Sequence, residues 1–138
     1  SRLAEEIKRA VVYQRPCGYL LIDIDDFKKF YRENGEYKSE TLLKEAGDIL
    51  KRAVTEIDRV GRLCKDKFAI ILPERNKRQS ANIAEEIRKK IEAGLNKVTV
   101  SIGVSENPID GSTAEELMEK AERLARDAKS LGKNRIAI

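Results

Sequence analysis

Apolar residues recur along the chain in two rhythms, one of three to four residues and one of two, and the changes between them mark out its elements. Leu3, Ile7, Ala10 and Val11 fall on one face of a helix over Leu3–Tyr13, with charges opposite. Arg15, Pro16 and Gly18 end it. Tyr19–Ile24 is nearly all apolar, the pattern of a strand buried on both faces, and it gives way to Asp23, Asp25 and Asp26. Phe27–Glu33 reads as a short helix closed at Asn34-Gly35. Ser39 then stands where it can cap a long helix to Ile57. Leu42, Leu43, Ala46, Ile49, Leu50, Ala53, Val54 and Ile57 form its continuous apolar face.

Two short strands, Val60–Leu63 and Phe68–Leu72, flank a tight turn at Cys64-Lys65-Asp66-Lys67. A helix over Lys77–Ala93 carries Ile83, Ala84, Ile87 and Ile91 on one side and stops at Gly94. Lys97–Val104 alternates like a strand. A turn from Asp110 leads to a capping box, Ser112 with Glu115. The helix it opens buries Leu117, Met118, Ala121, Leu124, Ala125 and Ala128, and stops at Gly132. Arg135–Ile138 is a last edge strand. This order is an α+β fold, a ferredoxin-like β-α-β-β-α-β core with extra helices on one side of the sheet.

A chain of 138 residues suits a single domain, residues 1–138, with a genuine core. It starts inside a helical pattern, as a domain excised from a longer signalling protein would. Charged residues make up 38%, yet the net charge is only +4 and the two signs are interleaved, so no nucleic-acid patch is expected. Lys and Glu are abundant and His and Trp absent, a composition that fits a heat-adapted source. Cys17 and Cys64 are expected as free thiols in a reducing cytoplasm, and without His they make no zinc pattern. No apolar run is long enough to span a membrane, and no signal peptide is visible, so no membrane contact is expected.

The candidate chemistry lies in the acidic strand end and the hairpin. Asp23, Asp25 and Asp26 have two readings. One is a solvated strand end, with Asp26 favourable at the first turn of the helix that follows. The other is a site for a hard cation, since Mg²⁺ takes carboxylate and carbonyl oxygens and completes its shell with phosphates.

Four separated stretches carry a family resemblance. Ile22-Asp-Ile-Asp-Asp-Phe-Lys-Lys29 resembles the Asp-hydrophobic-Asp-x-Phe-Lys motif of GGDEF domains, the diguanylate cyclase family. Arg62-Leu-Cys-Lys-Asp-Lys-Phe68 aligns without gaps to the signature hairpin Arg-x-Gly-Gly-Asp-Glu-Phe. Val98–Val104 is similar to the penultimate strand, and Ala128–Arg135 to the closing Ala-Lys-x-x-Gly-Arg-Asn-Arg. The resemblance covers nearly the whole chain and implies the nucleotide-cyclase type of ferredoxin-like fold. In active members it implies two facing subunits, each holding GTP. Two divalent ions assist attack of a 3′-hydroxyl on an α-phosphate, the logic of two-metal phosphoryl transfer.

Carried over position by position, the resemblance makes Asp23, the carbonyl of Ile24 and Asp66 the metal ligands, for Mg²⁺ or Mn²⁺. It makes the backbone of Asp26, Phe27 and Lys28, together with Lys129 and Lys133, the phosphate contacts. Tyr31 stands for the guanine-reading Asn, and Glu40 for the guanine-reading Asp. The departures are concentrated. Cys64 and Lys65 replace the two signature glycines, where side chains obstruct close approach of a nucleotide. Lys67 replaces the signature Glu and reverses its charge, so Asp66 and Lys67 are vestiges of the catalytic pair. The product-inhibition motif Arg-x-x-Asp appears as Thr55-Glu-Ile-Asp58, without the Arg that grips guanine.

The resulting expectation is a degenerate GGDEF domain without cyclase activity, a regulatory or interaction module in cyclic di-GMP-type signalling. Its partners would be other domains of the same polypeptide or a signalling protein. Two alternatives stand beside it: a sensor of a Mg²⁺–nucleotide such as GTP or ATP, and a weakly active cyclase. An active cyclase must pair as a homodimer; a domain that does not catalyse has no such need.

Overall fold

The computed structural model describes residues 2–138. Its elements run α1 (Arg2–Tyr13), β1 (Cys17–Ile24), α2 (Phe27–Arg52), β2 (Arg59–Cys64), β3 (Lys67–Pro73), α3 (Lys77–Gly94), β4 (Val100–Asn107), α4 (Ala114–Ser130) and β5 (Arg135–Ala137). The sheet has the order β2-β3-β1-β4-β5. Strand β1 pairs antiparallel with both β3 and β4, and β5 adds parallel to β4. Residues from β1 to β4 therefore trace the expected β-α-β-β-α-β core.

Helices cover both faces of the sheet, not one. The reason is visible in β1, which is buried along its whole length. Its even positions Leu20, Ile22 and Ile24 join the core beneath α2 and α3, where Leu50, Ile87 and Ile91 pack. Its odd positions Cys17, Tyr19 and Leu21 join a second core with Leu3 and Ile7 of α1 and Leu117 and Ala121 of α4. A strand apolar on both sides needs a layer on each, and its neighbours have to let the helices close. Strand β4 does so with Gly103, where an added Cβ would lie 1.9 Å from the Ala121 carbonyl oxygen. Gly18 lies inside β1, against expectation, because a Cβ there would meet Ser80 Oγ of α3 at 2.0 Å.

Other boundaries also shift. The short and long helices run as α2, broken only at Gly35, whose φ of 85° interrupts the helical backbone. Ser39 does not cap. Its hydroxyl donates to the Gly35 carbonyl one turn back. The helix ends at Arg52, and Ile57 lies exposed in the loop after it. Val11 and Met118 are exposed, not core, and the strand expected from Lys97 starts at Val100. The capping box moves by one residue: Thr113 caps α4 through the Glu116 amide, and Glu116 accepts from the Ser112 amide. The hairpin turn shortens to Lys65-Asp66. Both cysteines are free thiols, Cys17 buried and Cys64 exposed. No helix among the described residues is long and apolar enough to cross a membrane.

Candidate functional site

The C-terminal end of β1, the first turns of α2, the hairpin turn and the end of α4 meet along one edge of the sheet, the one formed by strand ends and not by an outer strand. The hairpin turn is tied there by the Ile24 amide, which donates to the Asp66 carbonyl at 3.0 Å. The α4 end is tied by a tight turn in which Lys133 and Asn134 both take left-handed conformations, φ 63° and 47°. Such a turn closes the helix on its own carbonyls, with the Lys133 amide donating to the Ala128 oxygen.

The three aspartates of the cluster have three different fates. Asp25 is buried and fully satisfied. It accepts from Thr99 Oγ1 and Ser101 Oγ, both at 2.7 Å, from the Asn134 amide at 3.0 Å and from Lys129 Nζ at 3.3 Å. It joins β1, β4, α4 and the turn before β5, and it holds the edge together. Asp26 is exposed, with φ 56°, and does not cap α2 through its side chain. It pairs with Lys133 Nζ at 2.5 Å, and that hydrogen bond holds its carboxyl below the usual range. Asp23 is buried, and its Oδ1 accepts no hydrogen bond. Burial pushes its carboxyl up; the Lys129 ammonium, 3.3 Å from Oδ1 but outside hydrogen-bond geometry, opposes that, and Asp66 reinforces it.

Lys129 is thus turned inward. Its ammonium also donates to the Ile24 carbonyl at 3.3 Å. Asp23, the Ile24 carbonyl and Asp66 are all hard oxygen donors, chemistry that suits Mg²⁺ or Mn²⁺. Yet Asp23 Oδ1 and the Ile24 oxygen already face an ammonium. Among the described residues, no group of three or more Asp, Glu, Cys or His side chains gathers into a metal site. As arranged here, the donor set does not fit a divalent ion.

Across the hairpin lies an open cleft of about 340 Å³ lined by Phe27, Lys28, Tyr31, Arg32, Lys65 and Asp66. The Lys65 ammonium sits over the Tyr31 ring, 4.6 Å from its centre. Phe27 is buried in the core beneath α2, with its ring 6.4 Å from that of Tyr31. Lys67 turns to the other side, where Glu122 of α4 lies 3.8 Å away. Glu40 faces Arg62 at 3.4 Å, and Arg62 also donates to the carbonyls of Cys64 and Lys65, so the turn is wrapped by its own strand.

At the opposite end of the hairpin, Asp58 is held by Thr55 and by a fork from Arg75, with contacts of 2.6 and 2.9 Å. Its side chain is fully buried. Sequence reasoning missed Arg75, Glu122, Thr99 and Ser101 as partners. The last two carried a signal, as polar residues alternating with apolar ones in a buried stretch. Arg75 and Glu122 carried none, since nothing local marks a partner on another element.

The sequence model of the family described as "Diguanylate cyclase, GGDEF domain" matches residues 1–135. The chain is 32% identical to the response regulator PleD of Caulobacter vibrioides, over 99% of this chain and 32% of that protein. It is 30% identical to MucR of Pseudomonas aeruginosa, a bifunctional diguanylate cyclase/cyclic di-GMP phosphodiesterase, over 97% of this chain and 20% of that protein. It therefore spans about a third or less of these relatives. In fold it is similar to the GGDEF domain of YfiN (TpbB) from Pseudomonas aeruginosa, with a TM-score of 0.94 at 24% identity, covering 99% of this chain and 91% of that one. With a match over almost its entire length, four motifs in order and the same architecture, this chain belongs to the GGDEF domain family.

Proposed function

We propose that this GGDEF domain does not make cyclic di-GMP and serves as a regulatory or interaction module within a larger cytoplasmic signalling protein. The observation that carries this reading is the hairpin turn. Lys65 lies across Tyr31 at the mouth of the cleft, and Lys67, in place of the signature acid, pairs with Glu122. A nucleotide entering there meets a side chain where the family has none. Moreover, the group that should help to hold a metal carries the wrong charge. The Arg75 fork on Asp58 supports the same reading for the inhibitory motif: the carboxylate is buried and fully engaged, with no open acceptor for a second ligand. The relatives that contain such a domain are multi-domain proteins by length, in keeping with a domain that acts on its neighbours. Incubation at high protein concentration with GTP and Mg²⁺ or Mn²⁺ is expected to yield no cyclic di-GMP; robust product formation would overturn the proposal.

A second reading, a nucleotide sensor, draws on the same cleft. Lys28, Arg32 and Lys65 ring an aromatic floor at Tyr31, a setting for a phosphate-bearing ligand. Thermal unfolding with GTP, ATP and cyclic di-GMP in turn separates the two. A ligand at 100 times its dissociation constant adds about 2.7 kcal/mol, and no shift with any of them leaves the interaction module.

A further inference from the structure

We infer that Lys129 is the resident cation of this site: its ammonium fills the oxygen cradle at the end of β1 and keeps divalent ions out. Three oxygens from successive residues, Asp23 Oδ1, Ile24 O and Asp25 Oδ1, each lie 3.3 Å from Lys129 Nζ. A carbonyl between two buried carboxylates is an arrangement that demands positive charge, and here α4 supplies it. The cradle is not saturated by this one charge. Asp23 Oδ1 remains without a hydrogen bond, a buried acceptor aimed at the space the ammonium shares.

The fold holds Lys129 beside these oxygens. Lys129 lies in the last turn of α4, whose Ala121 and Ala125 press directly onto Gly103 of β4. The turn that follows is bonded to Asp25 through the Asn134 amide. The ammonium is therefore delivered by a rigid helix and competes with solvent ions as an intramolecular group, at high effective concentration. A divalent ion must strip water from itself, which Mg²⁺ does reluctantly, and must also displace Lys129 from all three oxygens. With no nucleotide phosphates to draw the ammonium away, an ion in the cradle would lie against it, and at such separations their repulsion is large in a partly buried setting.

This inference rests on reading the edge as a former cyclase site. Its test contains no nucleotide, so its failure and a positive cyclase assay are separate results. Mn²⁺ binding is measured by the loss of free-ion electron paramagnetic resonance signal, and thermal unfolding is followed with and without Mn²⁺. The wild-type chain is expected to show no saturable binding and no Mn²⁺-dependent shift. Lys129→Met keeps the aliphatic stem and removes the charge. It is expected to bind Mn²⁺ at least about tenfold more tightly and to be stabilised by it. Adding Asp23→Asn to that variant should abolish the gain, which locates the ion. If Lys129→Met does not fold, Lys129→Gln, which keeps a donor, takes its place. Equal Mn²⁺ affinity in wild type and variant, no binding by either, or a gain indifferent to Asp23→Asn would each overturn the inference.

Discussion

Asp25 at one end of the site is bonded to β4, to α4 and to the turn before β5, while the Lys65-Asp66 turn, tied to the neighbouring Ile24 amide, is largely exposed and held mainly by that one backbone bond and its own Arg62. The first region keeps its match to the GGDEF motifs, and three of the departures, Cys64, Lys65 and Lys67, lie on or beside the second. The difference teaches why. A carboxylate that satisfies four donors from three elements is part of the architecture, and its loss is felt by the whole domain. Exposed side chains on a two-residue turn and at the strand end beside it carry little of the fold, so Lys65 and Cys64 can stand where the family has glycines at small cost to stability. The sequence of such a turn can change without the fold changing with it.

The largest contrast between held and free regions should be chemical. The buried Cys17 thiol at the start of β1 is pushed up to about 12, first by burial and then by Glu6. Thiolate is the reactive form, so at pH 8 a disulfide reagent should modify Cys64 promptly and Cys17 only when the chain unfolds. Two thiols reacting at one rate in the native protein would break the comparison. Next in size is Asp25→Ala, which takes one carboxylate from Lys129 and leaves the hydroxyls of Thr99 and Ser101 and the Asn134 amide without their acceptor. It should cost about 3–5 kcal/mol in urea unfolding. A loss below about 1 kcal/mol would mean that the network does not hold this edge. Smallest is Lys65→Ala on the turn, which removes the contact over Tyr31 and should change stability by no more than about 1 kcal/mol. A loss as large as that of Asp25→Ala would show that the turn, too, is architecture.

Much of this fold was legible because its periodicities are strong. The apolar run of β1 and the helical faces of α3 and α4 placed every strand and helix in order. The family motifs then fixed the topology. The errors came where two local choices were chemically equal. Ser112 and Thr113 are both competent caps, and in the folded chain Thr113 is the one that caps, with Glu116 accepting from the Ser112 amide. Gly18 and Gly35 both read as breaks. Gly35 interrupts a helix, whereas Gly18 continues a strand because Ser80 needs its space. A strand apolar on both faces requires a helical layer on each, whereas the order of elements by itself suggests helices on one side only.

The sequence by itself determined the elements, their order and the family. It also determined that the signature turn had lost its glycines and its acid. Only the tertiary structure decided what the surviving charges do. Asp23, Asp25 and Asp26 are alike in sequence, and their fates depend on Thr99, Ser101, Lys129 and Lys133, which lie 74 to 107 positions further along the chain. The same is true of Lys67 and Glu122. Local pattern reports whether a residue wants burial or solvent, because that depends on its own chemistry. Which opposite charge it meets depends on distant elements brought together by the sheet, and no local pattern records that.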